Sequence, residues 1–348
     1  MTVRALMCGS VPPEWGGATM GGVATFHRTL IETFLAHPEW GISVCGVLPL
    51  NADPASPLSP PVPVVSDAGG YPDMLRAVGA DVVVFQHIGH RFAAYHADLS
   101  VPAVGVVHSW HAVTQRPADA SARARRALTL ALPGCDTLVF VSHRTRAEGL
   151  ELGFVYGARE VVIHNPVGPV FLDQADLGGP RDGWLFVGSL IERKNPLAAL
   201  EAAAMRGRLL TVIGSGSLEE VLRREGGNSL VMLGPRSPAG VRQAMLRAEL
   251  LCVPSTSEGF SIAYLEALAC GTPVVGAGAN ILELSQILGQ PCGAPVWSAT
   301  AAETAGAAAV VESAAWDREA LRASVVKAFS PESVGNAYAR LLHEVRPR

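Results

Sequence analysis

The chain has 348 residues, with 27 basic against 31 acidic side chains and a formal net charge of −4. That balance excludes a protein whose binding depends on neutralising nucleic-acid phosphate, and 49% hydrophobic with 17% charged residues excludes a disordered chain. The length exceeds what one hydrophobic core usually holds, so two domains are expected.

In chain order, the first half opens on a short apolar run, Val3 to Cys8, followed by a Gly- and Pro-rich loop from Gly9 to Gly22. The opening run is too short for a secretory leader. Val23, Phe26, Leu30 and Phe34 then fall on one face of a 3.6-residue period and predict a helix. Strand-like runs follow at Ile42–Leu48, Asp81–Phe85, Val101–Val107 and Thr137–Val141, with a proline-rich surface loop over 51–64. The segment 166–183, dense in Gly, Pro and Asp, reads as a linker. The second half repeats the plan. Trp184–Val187 is a strand, Gly188–Asn195 a polar loop, and Pro196–Met205 a helix with proline in its first turn. Leu209–Ile213, Leu230–Leu233, Leu250–Pro254 and Thr272–Val275 read as further strands, with a helix near Ala263–Ala269.

Strands alternating with helical patterns predict an α/β protein with parallel sheets. The division expected is 1–165, a linker over 166–183, 184–328, and a last helix within 329–348. No run approaches the roughly 20 apolar residues of a membrane span. The six cysteines form no CxxC pair and read as small buried hydrophobes of a reduced, cytoplasmic setting. Of the 27 cations only Lys194 and Lys327 are lysines.

The sharpest segment is SEGFSIAYLEALACGTPVVG, 257–276. Glu258 precedes a Gly-Phe-Ser turn and Glu266 lies on the helix that follows. A helix opening after such a turn offers backbone N–H groups and a positive dipole end to a phosphate or a sugar hydroxyl. A glutamate more than a turn inside suits a partner with two donors, such as ribose hydroxyls. Taken alone, two glutamates eight positions apart are more often solvated helix-face side chains. In a second segment, FVGSLIERKNPLAALEA (186–202), Arg193 and Lys194 supply a fork and a point charge of the kind a nucleoside diphosphate needs. Cations at a helix start oppose its dipole and need another reason to be there.

Together these segments closely resemble the donor-binding signature of the family-4 retaining glycosyltransferases of GT-B fold. The resemblance is strong over about 184–276 and loose before it. It implies two Rossmann-like, doubly wound parallel-sheet domains facing a central cleft. The first takes the acceptor, in a form trimmed for the family, and the second takes a nucleotide-sugar donor. The last helix, Pro331–His343, is the candidate to cross back to the first domain. The resemblance places Glu258 and the amides of Gly259, Phe260 and Ser261 at the donor sugar and phosphates, Glu266 at the ribose, and Arg193 and Lys194 at the diphosphate. Ser261 stands where the signature has glycine. Ser189 stands where many members have arginine, so Arg193 is expected to take over that charge. Gly188 belongs to the same strand–loop–helix, Gly214 and Gly216 resemble the nucleotide loop, and Gly21 and Gly22 the N-terminal glycine loop. His108, closing VPAVGVVHSW, matches the histidine facing the donor sugar.

The activity implied is transfer of a hexose from a nucleoside-diphosphate sugar, UDP- or GDP-linked, to a hydroxyl of a small molecule or glycan. The anomeric configuration is retained by a front-face route, in which the leaving phosphate assists deprotonation of the acceptor. No Asp-x-Asp occurs, which fits a design needing neither a metal nor a cofactor. The HxxH pairs His87/His90 and His108/His111 lack the spacing of a zinc helix, and His87, His90, His96 and His111 read as loop histidines. Arg123, Arg125 and Arg126 read as a solvated helix face rather than a contact to anionic lipid. Three alternatives stay open: a nucleotide-sugar 2-epimerase of the same fold, a non-catalytic nucleotide-sugar-binding protein, and an NAD-dependent dehydrogenase. The last lacks the third glycine of its fingerprint.

Overall fold

The computed structural model describes residues 2–18, 21–65, 71–86, 100–174 and 176–345, the side chains of 71–73 excepted. It divides into two units, Met1–Pro166 with Pro331–Arg348, and Val167–Ser330. Each carries its own six-stranded, all-parallel sheet, so the expected α/β class with two parallel sheets is present.

In the first unit the sheet order is β2-β1-β3-β4-β5-β6. The strands are β1 (Val3–Gly9), β2 (Ile42–Pro49), β3 (Val82–Phe85), β4 (Ala103–Val107), β5 (Thr137–Phe140) and β6 (Arg159–Val162). Every residue of β3, β4 and β5 is buried. Helices on both faces of a parallel sheet leave no wet side, so these strands read as unbroken apolar runs. The helices are α1 (Gly22–Ala36), α2 (Tyr71–Val78), α3 (His111–Thr114), α4 (Ala118–Ala131) and α5 (His143–Glu151). The edge strand β6, half exposed and charged at its start, carries no apolar run and was not expected. On α4, Arg125 donates to the Leu152 carbonyl at 2.6 Å and covers the Phe154 ring at 5.2 Å, so it is an anchor of the fold. Arg123 and Arg126 stay exposed.

In the second unit the order is β12-β11-β10-β7-β8-β9. Its strands are β7 (Trp184–Val187), β8 (Leu210–Ile213), β9 (Leu230–Met232), β10 (Leu250–Val253), β11 (Val274–Ala277) and β12 (Gly293–Val296). The strand expected from Thr272 begins two residues later. Pro273 has no N–H, and the Thr272 hydroxyl is spent on the Met245 carbonyl at 2.6 Å. Strand β12 contains Pro295, tolerated because the strand lies at the sheet edge, and it escaped the sequence reading for that reason. The helices are α6 (Pro196–Met205), α7 (Glu219–Gly226), α8 (Pro238–Arg247), α9 (Ile262–Ala269), α10 (Gly278–Leu288), α11 (Ala301–Ser313) and α12 (Arg318–Phe329).

Arginines tie the stretch read as a linker to this unit. Arg322 donates to the carbonyls of Phe171, Leu172 and Asp173, and Arg242 to those of Asp173 and Gln174. Arg181 reaches Met245 and Cys270, at the C-terminal ends of α8 and α9. Cations suit carbonyls left over at helix C-termini, and the guanidinium fork collects several at once.

Helix α13 (Pro331–Val345) packs within the first unit against α1. Tyr338 meets Phe26 edge-on at 5.8 Å, and the His343 ring bonds the Trp40 carbonyl at 2.8 Å. Among the described residues no helix is long and apolar enough to cross a membrane.

Candidate functional site

Strand order β9-β8-β7 on one side and β10-β11-β12 on the other makes the gap between β7 and β10 the topological switch point, where parallel sheets open a crevice at their carboxyl ends. The loop after β7 carries Arg193 and Lys194, and the loop after β10 carries Glu258. The two loops are stitched together: Thr256 N–H donates to the Arg193 carbonyl at 2.9 Å, and the Arg193 guanidinium to the Ser257 carbonyl at 3.1 Å.

Both cations converge on one carboxylate. Lys194 Nζ hydrogen-bonds Glu258 Oε1, and Arg193 lies 3.5 Å from the same oxygen. Only 7% of the Glu258 side chain is exposed. Burial alone would push its carboxyl up, but Lys194 and Arg193 overcome this and hold it below the ordinary range. A compact turn at Glu192–Lys194 ends on Asn195 in the left-handed region (φ 52), whose side chain donates to the Ala299 carbonyl at 2.6 Å. Pro196 then starts α6. Ser189 is exposed and brings no charge.

Glu266 lies one helical turn beyond the start of α9, half-buried, with Gly168 beside its carboxyl. Burial pushes its pKa up to about 8. Among the described residues no ion pair or hydrogen bond reaches that carboxyl, so it is a desolvated acceptor suited to a partner bringing hydroxyl donors.

The Gly-Phe-Ser turn is more tightly used than the sequence implied. Ser261 is the N-cap residue of α9, and its N–H donates to Asn280 Oδ1 at 3.0 Å. The Phe260 ring is buried and packs against Phe329 at 5.6 Å. Gly188, Gly214 and Gly216 also have structural work. A Cβ on Gly214 would stand 1.9 Å from the Gly188 carbonyl oxygen, and one on Gly216 2.5 Å from that of Leu190. The loops after β7 and β8 therefore touch backbone to backbone, with Leu190 N–H donating to Ser215 O at 2.9 Å. Contact of this kind forbids a side chain.

In the first unit the switch point falls between β1 and β3. His27 on α1 and Gln86 after β3 are fully buried there, both against Gly9, on which a Cβ would lie 2.8 Å from His27 Nδ1 and 2.7 Å from Gln86 Cβ. His27 Nδ1 donates to the Ser10 carbonyl at 2.9 Å, which fixes that tautomer. Burial lowers its pKa to about 4 and keeps the ring neutral. Neither residue stands out in the sequence: His27 lies on the apolar face of α1, and Gln86 follows the apolar run of β3. His108 follows β4 and meets Phe26 edge-on at 5.0 Å. Gly21 is the N-cap residue of α1, with none of the described residues within 4 Å of its Cβ direction, and Gly22 begins the helix. His87, His90 and His96 lie outside the described residues. Among the described residues no group of three or more His, Cys, Asp or Glu side chains is placed to hold a metal.

Two family profiles match the chain: one described as Glycosyl transferases group 1 over residues 178–282, the other as Glycosyltransferase Family 4 over 23–170. A D-inositol 3-phosphate glycosyltransferase of Mycobacterium leprae (strain Br4923) is 33% identical over 125 residues, 32% of this chain and 29% of its own length. One of the same description from Frankia alni is 38% identical over 125 residues, 30% of this chain and 31% of its own. The chain thus spans under a third of these relatives. Similar solved structures include sucrose-phosphate synthase from Thermosynechococcus elongatus (TM-score 0.74, 16% identity, 98% of both chains). AviGT4, a glycosyltransferase involved in avilamycin A biosynthesis, is another (TM-score 0.66, 20% identity, 98% of both chains). At these identities the likeness is one of fold.

Proposed function

The chain belongs to the family-4 glycosyltransferases of GT-B fold, and from that membership we propose that it moves a sugar from a nucleoside-diphosphate donor to an acceptor hydroxyl with retention of configuration. The observation that carries the reading is the convergence of Arg193 and Lys194 on Glu258 at the switch point of the second unit. Two cations fixed there are suited to a diphosphate whose charge grows as the sugar leaves, and preorganised charge of this kind does most of its work in the transition state.

Glu258 then accepts from hydroxyls of the donor sugar, and Glu266 from the ribose diol. In this reading the desolvated Glu266 carboxyl gains two donors on binding, which favours its ionised form. Backbone of the Gly259–Phe260 turn borders the donor. Gly214 and Gly216 serve it indirectly, by letting the two loops stack, and Gly188 by holding a positive φ of 152° in the first of them. His108 hydrogen-bonds a substrate hydroxyl. Retention follows a front-face path in which the leaving phosphate takes the acceptor proton, without a metal, because Arg193 and Lys194 supply the countercharge. The donor is a UDP- or GDP-sugar, and the acceptor a hydroxyl-bearing small molecule or glycan.

Thermal unfolding against UDP, GDP, ADP, dTDP and NAD, each with and without EDTA, tests this reading. A ligand at about 100 times its Kd adds about 2.7 kcal/mol and moves Tm by several degrees. The expected result is a shift with one nucleoside diphosphate that EDTA leaves alone. A shift with NAD only, or with none of the five, contradicts it.

A further inference from the structure

The Glu258–Ser261 turn is held by a side chain from outside the signature. Asn280 lies in the first turn of α10, 1% exposed, and spends both ends of its amide on that turn. Its Oδ1 accepts the Ser261 N–H at 3.0 Å, and its Nδ2 faces the carbonyls of Glu258 at 3.4 Å and Gly259 at 3.3 Å. A buried amide is tolerated only when bonded, and asparagine is a poor residue for a helical turn unless its side chain is wanted elsewhere. Because trans peptide units carry C=O and N–H on opposite sides, two carbonyls turned toward Asn280 set the plane of both peptides that follow Glu258. The backbone bearing the Glu258 side chain is thereby fixed from behind, while Lys194 and Arg193 hold its carboxylate from in front.

We propose that Asn280 is the positioning residue of the donor site: it sets the Glu258–Ser261 turn so that Glu258 meets the sugar of the nucleotide sugar. The inference rests on the donor reading above. It assigns Asn280 to recognition of the sugar, not of the nucleoside diphosphate, because Arg193, Lys194 and Glu266 make no contact with it among the bonds described.

The test is a ratio. Affinities of UDP, GDP and ADP, and of UDP-glucose, GDP-glucose and ADP-glucose, are measured by calorimetry for the wild type, Asn280→Leu and Asn280→Asp. Asn280→Leu removes all three contacts at similar volume. Asn280→Asp keeps the acceptor for Ser261 and loses the donors. The expected result is a loss of about 10-fold for the nucleotide sugar that binds, with the matching diphosphate changed by less than about 3-fold, and an intermediate loss for Asn280→Asp. Should Asn280→Leu fail to fold, Asn280→Asp carries the same comparison. Equal weakening of both ligands makes Asn280 merely structural and overturns the inference, as does an unchanged ratio. If none of the six binds the wild type, both this inference and the donor reading fall.

Discussion

The two units share a plan of six parallel strands and a switch point beside their first strand, yet they furnish that point in opposite ways. In the second unit it holds two cations and a carboxylate, with a further carboxyl one turn into α9. In the first it holds an imidazole kept neutral by burial and a carboxamide. The topology supplies a switch point in both; among the described residues the second is furnished with charged side chains and the first with buried neutral ones. Chemistry therefore has to be argued from the side chains at each end and not from the topology they share.

The sharpest way to break this contrast is acid. His27 has its folded pKa lowered to about 4 from an ordinary 6.5, so the unfolded chain takes up the proton first. The stability tied to the neutral ring is present above pH 6.5 and lost as pH falls toward 4, on the order of 3 kcal/mol. Urea midpoints of wild type and His27→Gln between pH 7 and 4 measure it, and the variant should lose that part of the slope. An identical slope in both would mean that the ring is charged when folded.

In the second unit, Lys194→Ala or Arg193→Ala should each lower kcat/KM by at least ~10²-fold, the scale of removing one donor to a developing negative charge. Near-normal turnover in either would detach that cation from the chemistry. Gly214→Ala sharpens the structural half of the comparison. Its Cβ would collide with the Gly188 carbonyl, so the two loops must part, at about 2 kcal/mol by denaturant titration. A neutral result would show that the loops are not in contact in solution.

The smallest effect concerns Glu266. Its carboxyl is raised to about 8 by burial, so the folded state keeps a proton that the unfolded chain has released. Folding is then weakened as pH rises from about 4.5 toward 8. Glu266→Gln should raise Tm by a few degrees at pH 8 and leave it unchanged at pH 4. It should also raise the donor KM several-fold. A fall in Tm at pH 8 would give Glu266 a bonded, structural role.

Much of this was legible in the sequence because it is local. The apolar runs marked the inner strands, and Glu258, Glu266, Arg193 and Lys194 stood out by spacing and charge. What stayed hidden depends on contacts between distant positions. The pairing of Lys194 with Glu258 spans 64 residues, and the clamp of Asn280 on Ser261 spans 19. Nothing in ANILEL announces a buried amide facing backward. Strands β6 and β12 were missed because edge strands are free to carry charge or proline, and His27 because an apolar helix face conceals a single buried polar ring.

The most direct test is the affinity of the stabilising nucleoside diphosphate for the wild type and for the Arg193→Ala/Lys194→Ala double variant, measured calorimetrically with folding checked by circular dichroism. The predicted result is a loss of at least about 10-fold in the double variant, steeper at low salt. Unchanged affinity in a folded double variant would contradict the claim that the switch point of the second unit is the diphosphate site.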